Sequence, residues 1–164
     1  MNKIISVAIV PLLLIVLSSC KTESAKDINE LIKTLNTEYG YTFTTKDFII
    51  EKRENTVYHH ITDNGSLLSL YSNKENEIIQ CTLSSFDINN QENSELIINI
   101  GIILSKQDQK VIKSMLYTAE EKGKCVKDGW NIAIIKNKKF VTYLINRANS
   151  EINNNNLPTI KSND

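Results

Sequence analysis

The chain has 164 residues, with 19 lysine and arginine side chains against 19 aspartate and glutamate, so its formal net charge is zero. A balanced chain has no basic excess to neutralise a phosphate backbone, which argues against nucleic acid as a partner. The length suits a single domain.

Met1-Asn2-Lys3 gives a short cationic start, and Ile4 to Leu17 is apolar except for Ser6. The run is shorter than the roughly 18 to 20 residues of a bilayer-spanning helix, and Pro11 interrupts it, so it reads as the apolar region of a secretory signal. Leu17-Ser18-Ser19-Cys20 then resembles the lipobox of bacterial lipoproteins. The resemblance implies a signal peptide over residues 1–19, cut before Cys20, and a Cys20 thiol that carries diacylglycerol; an ordinary signal peptide with a stray cysteine is the alternative. Two or more acyl chains would hold the protein stably at a membrane, because each buried methylene contributes about 0.8 kcal/mol. With Lys21 next, where aspartate would resemble a retention signal, the resemblance implies the outer membrane of a two-membrane cell. In a cell with one membrane it implies the outer face.

Residues 20–26 read as the acylated cysteine and a polar tether that reaches at most about 20 Å. A single globular domain is expected over 27–148. Ser24 and Asp27 mark a helix start, as cap and first-turn acid, and Ile28, Leu31, Ile32, Leu35 and Tyr39 recur at helical spacing up to Gly40. Phe48 to Arg53 and Thr56 to Ile61 have strand character. Asp63-Asn64-Gly65 signals a hairpin with a tight primed turn, followed by strands at Ser66 to Tyr71 and Glu77 to Ser84. On the last of these, Ile79, Cys81 and Leu83 share the face expected to meet the core.

Residues 94–104 carry the run "LIINIGIIL", which fits a helix or a buried strand; helix is favoured although Gly101 weakens it. A second helix follows, capped by Ser105 with Asp108 and striped with Val111, Ile112, Met115, Leu116 and Ala119. Strands return at Cys125-Val126, Trp130 to Ile135 and Lys139 to Asn146, where Trp130, Ile132 and Ile134 fall on one face and Phe140, Thr142 and Leu144 on one face of the partner. Trp130, after Asp128-Gly129, is read as a core anchor, with an exposed interface aromatic as the alternative. Residues 149–164 lack apolar periodicity and are expected as a frayed tail. The pattern predicts an α+β fold, an antiparallel sheet with about three helices on one face.

Export would place Cys81 and Cys125 where disulfides persist, and this even pair is expected to form one, two buried free thiols being the alternative. It would close a loop of about 45 residues and contribute on the order of 4 kcal/mol. No metal site is expected, because no further cysteine or nearby histidine completes four ligands. His59 and His60 are the only histidines, and adjacent strand residues point to opposite faces, so they do not grip one ion together. Glu51, Glu54, Asp63, Asp87, Glu120 and Glu121 show no spacing that favours acid–base work. The glycines at 40, 65, 101, 123 and 129 are isolated, so no phosphate loop and no cofactor motif is present. Catalytic residues are therefore expected to be none.

The expected function is a lipid-anchored envelope protein that binds another protein, as an assembly or accessory factor or as an immunity or exclusion protein. The alternatives are a carrier of small molecules or lipids and, after it, an envelope hydrolase using a histidine. Replacing Cys20 with alanine is expected to block acylation and leave uncut precursor; mass spectrometry of the membrane-associated chain distinguishes the two forms.

Overall fold

The computed structural model describes residues 27–148 apart from Arg53. The lipobox, Cys20, the tether and the tail over 149–164 lie outside the described residues. Helix α1 (Ile28–Tyr39) leads through a short 3₁₀ turn (Thr45–Asp47) to four strands, β1 (Ile49–Lys52), β2 (Thr56–Ile61), β3 (Leu67–Ser72) and β4 (Ile78–Ser85). Helices α2 (Gln91–Ser105) and α3 (Gln109–Lys122) follow, then β5 (Lys124–Lys127), β6 (Trp130–Lys136) and β7 (Val141–Arg147). All seven strands form one antiparallel sheet in the order β1-β2-β3-β4-β7-β6-β5. The fold is α+β. Among the described residues no helix is long and apolar enough to cross a membrane.

Each helix begins where a side chain can serve the first free backbone N–H groups. Asp27, rather than Ser24, caps α1: its Oδ1 accepts from the N–H groups of Asn29 and Glu30, both at 2.9 Å. Asp108 caps α3 through the N–H of Val111 at 2.9 Å. The ambiguous run is helix α2. Its buried residues Leu96, Ile97, Ile98, Ile100, Ile103 and Leu104 surround much of its circumference, because α2 packs against the sheet and against both other helices. That position explains why the sequence shows no clean stripe.

Gly101 makes this close approach possible. A Cβ there would come within 3.0 Å of Ile145 Cδ1 on the sheet and 3.1 Å of Ile112 Cγ2 on α3. The glycine that weakens the helical signal is therefore the point where three elements meet.

The helix-covered face of the sheet is read directly from its register. One row runs Tyr58, Leu70, Cys81, Ile145, Ile132 and Cys125 from β2 to β5. Leu70, Cys81, Ile145, Ile132 and the anchor Trp130 all belong to the buried core. On β7 the core face is Val141, Tyr143 and Ile145, so Thr142 and Leu144 share the other face. A bulge in the β3–β4 pairing sets Ile78 opposite Ser72, and it is Ile78 rather than Ile79 that joins the core.

The same row corrects the expected disulfide. Cys81 and Cys125 are free, and two strands, β7 and β6, stand between them. At about 4.8 Å per strand their backbones are roughly 14 Å apart, against the 7 Å beyond which two cysteines do not bridge. Both cysteines lie beside the same core, as their apolar surroundings suggest, yet sharing a core does not bring them into contact.

Turn chemistry differs as well. Among residues 62–66 only Gly65 has a positive φ, +77. Thr62 and Ser66 close the loop, with Thr62 N donating to Ser66 O at 2.9 Å and Gly65 N to Thr62 O at 2.8 Å. The primed two-residue turn is instead Asp128-Gly129, with φ of 49 and 78, between the paired Lys127 and Trp130.

Two outcomes follow from this packing. Gly101→Val is expected to destabilise the chain by about 1–3 kcal/mol through overpacking, read by chemical denaturation. Thiol counting without reductant is expected to find both Cys81 and Cys125 free, with half-buried Cys125 alkylated in the native chain and fully buried Cys81 only after unfolding.

Candidate functional site

A cleft of about 510 Å³ opens between the end of α1, the β2–β3 turn and the first turns of α2. Ligand pockets commonly occupy roughly 300–1,000 Å³. One wall is built by the segment that follows α1. Gly40, at φ 75, ends the helix in the left-handed conformation and turns the chain back. Asn36 then clamps Phe43 as a strand neighbour would, its Nδ2 donating to Phe43 O at 2.7 Å and its Oδ1 accepting from Phe43 N at 3.0 Å.

The clamp sets an aromatic surface. Tyr41 and Phe43 stack with centroids 5.3 Å apart. Phe43 meets His60 edge-on at 5.2 Å, and Phe48, which also touches His60, fills the core behind. His60 Nδ1 lies 3.1 Å from the carbonyl oxygen of Asp47. Asp47 closes the adjacent 3₁₀ turn by accepting from the backbone N–H and the hydroxyl of Thr44, and these bonds hold its carboxyl below the usual carboxylate range.

Carboxylates line the cleft. Asp47, Asp63, Glu92 and Glu95 border it, with neither lysine nor arginine in the lining among the described residues. Asn93, only 1% exposed, also lines it, and its Nδ2 has no hydrogen-bond partner. Its Oδ1 accepts from Asn64 Nδ2 at 3.2 Å. Burial raises the phenol pKa of Tyr41; the hydrogen bond from Asn99 opposes this, and the negative charges of Glu95 and Glu92 add to it. Among the described residues no three His, Cys, Asp or Glu side chains converge as a metal ion requires.

The histidine pair divides as strand geometry demands. His60 joins the cleft wall, whereas His59 lies on the opposite face of the sheet, across from Ser69. There His59 Nδ1 is 2.9 Å from Ser69 Oγ and its Nε2 is 3.6 Å from Glu51 Oε2. This places a serine, a histidine and a carboxylate in line. Ser69, however, is 4% exposed on β3, a strand paired on both sides. Its neighbouring backbone N–H groups are taken up by the ladders, so they do not form the pair of free donors that holds an oxyanion. The trio reads as a cross-strand polar pair with an acid at its edge.

Of the acids noted in the sequence, only Asp63 reaches the cleft. Asp87 instead accepts from Asn89 N in a local turn, and Glu54, Glu120 and Glu121 are exposed. Sequence reasoning missed Tyr41, Phe43, Glu92, Asn93 and Glu95. The available signal was "YGYTF" at 39–43, three aromatic residues around a helix-ending glycine. No protein-family model, curated protein or solved structure matches this chain.

Tyr41 is expected to ionise above its ordinary value of about 10, and Glu95→Gln to bring it back towards that value. Ultraviolet titration of the chain against Tyr41→Phe resolves it. Because the folded-state pKa is raised, its stabilising contribution is full below the ordinary value and lost as pH rises through the folded one.

Proposed function

We propose that this chain is a lipid-anchored cell-envelope protein, held by acyl chains on Cys20, that docks another protein at the β1–β3 end of its sheet. The observation that carries the docking is a set of exposed aliphatic side chains on the face of the sheet opposite the cleft wall. Ile49 is 71%, Ile61 67% and Leu67 41% exposed. Ile61 and Leu67 are cross-strand partners, and Ile49 stands opposite His59, two residues from Ile61, so all three lie on the helix-free face of one hairpin corner. Adjacent exposed aliphatics favour burial against a partner, and a polar border gives the contact its specificity.

The border here is the β2–β3 turn, since Thr62, Asp63 and Asn64 continue directly from β2 and reach the cleft on the other side of the hairpin end. Either an assembly factor or an immunity protein would use such a corner. A lipid carrier is a poorer fit to this cleft, because four carboxylates ring it.

The test is affinity capture from envelope extracts of the source cell and its competitors, with residues 21–164 as bait. A stoichiometric partner held by the natural sequence and lost from Ile61→Asp and Leu67→Asp is the expected outcome. Capture of no protein, or capture indifferent to both substitutions, would overturn the docking surface.

A further inference from the structure

We propose that the cleft recognises a basic side chain, arginine or lysine, carried on a peptide segment of the docked partner. The inference rests on the protein-binding reading above and adds the chemistry of what is bound.

Charge complementarity is the first support. The chain as a whole is neutral, yet Asp47, Asp63, Glu92 and Glu95 border one cleft that no lysine or arginine lines among the described residues. The stacked Tyr41 and Phe43 rings add a surface on which a guanidinium or ammonium group is attracted. Because no three ligating side chains converge among the described residues, the charges suit an extended organic cation better than a metal ion.

Asn64 marks the place of the cation. Its neutral Nδ2 stands 3.5 Å from Glu92 Oε2 and 3.2 Å from Asn93 Oδ1. Both distances are long for hydrogen bonds, and a charged donor between the same two acceptors would bind them more strongly.

Asn93 points to the rest of the ligand. Asn93 is one of the residues lining the cleft, and its buried Nδ2 is a donor without an acceptor. A buried unpartnered donor favours any ligand that supplies a carbonyl oxygen. A peptide bearing a basic residue supplies cation and neutral carbonyl together. A free amino acid would bring its carboxylate against four others.

The experiment titrates the full chain, purified in detergent, with acetylated and amidated Gly-Gly-Arg-Gly-Gly, with its lysine and citrulline counterparts, and with methylguanidinium. Calorimetry is expected to show the arginine or lysine peptide binding about tenfold or more tightly than the neutral citrulline peptide. Glu92→Gln and Glu95→Gln, exposed near-isosteric changes whose fold is checked by thermal melting, are each expected to weaken it about fivefold. Added salt should weaken it further.

Equal affinity for the arginine and citrulline peptides would overturn the inference. So would methylguanidinium binding as tightly as the peptide, which would assign the cleft to a small free cation. Partner capture undiminished in the Glu92→Gln/Glu95→Gln double variant would overturn the cleft's role and leave the docking reading standing. Basic-peptide binding without any captured partner would remove the docking reading and leave the cleft's chemistry intact.

Discussion

Pairing of β4 with β7, from Gln80 opposite Asn146 to Ser85 opposite Val141, joins two separate meanders into one sheet. The remaining architecture depends on that seam. It creates a continuous apolar floor from Leu70 through Cys81 and Ile145 to Ile132, and α2 lies on that floor across β4 and β7. The seam and the helix meet where Ile145 of β7 faces Gly101 of α2. A long-range pairing of this kind carries the entropic cost of closing the chain between, which holds α2, α3, β5 and β6.

The seam also decides the fate of the cysteines. It inserts β7 and β6 between the strands that carry Cys81 and Cys125, so the two thiols face one core from separate positions. Whatever the redox state of the compartment, distance vetoes a disulfide between them. The domain is held by its buried side chains: α1, α2 and α3 contribute Leu31, Leu35, Ile97, Ile100, Ile112 and Met115, each essentially inaccessible.

The two edges of the sheet differ in kind. The β5 edge carries Lys124 and Lys127, charges that discourage further strand pairing, and α3 packs against it. The β1 edge exposes Ile49 and Ile50, and the acidic aromatic cleft opens beside it. Aliphatic surface and carboxylates thus gather at one corner of a neutral molecule. That asymmetry is the physical content of the proposed docking site.

Local physics determined much that the sequence alone could yield. Caps, glycine stops and apolar spacing fixed α1 and α3, and β-branched runs located the strands, because these signals lie within a few residues of the structure they specify. The opposite faces of His59 and His60 followed from strand period alone. Tertiary structure decided what depends on distant partners. It resolved α2 as a helix, since a run buried on most sides carries no usable period; it chose the face of β7, where both alternating sets contain apolar residues; and it separated Cys81 from Cys125. The cleft was least legible of all. Tyr41, Asp63 and Glu95 are spread along the chain, and only the folding of α1 and the β2–β3 turn against the start of α2 brings their side chains round one space.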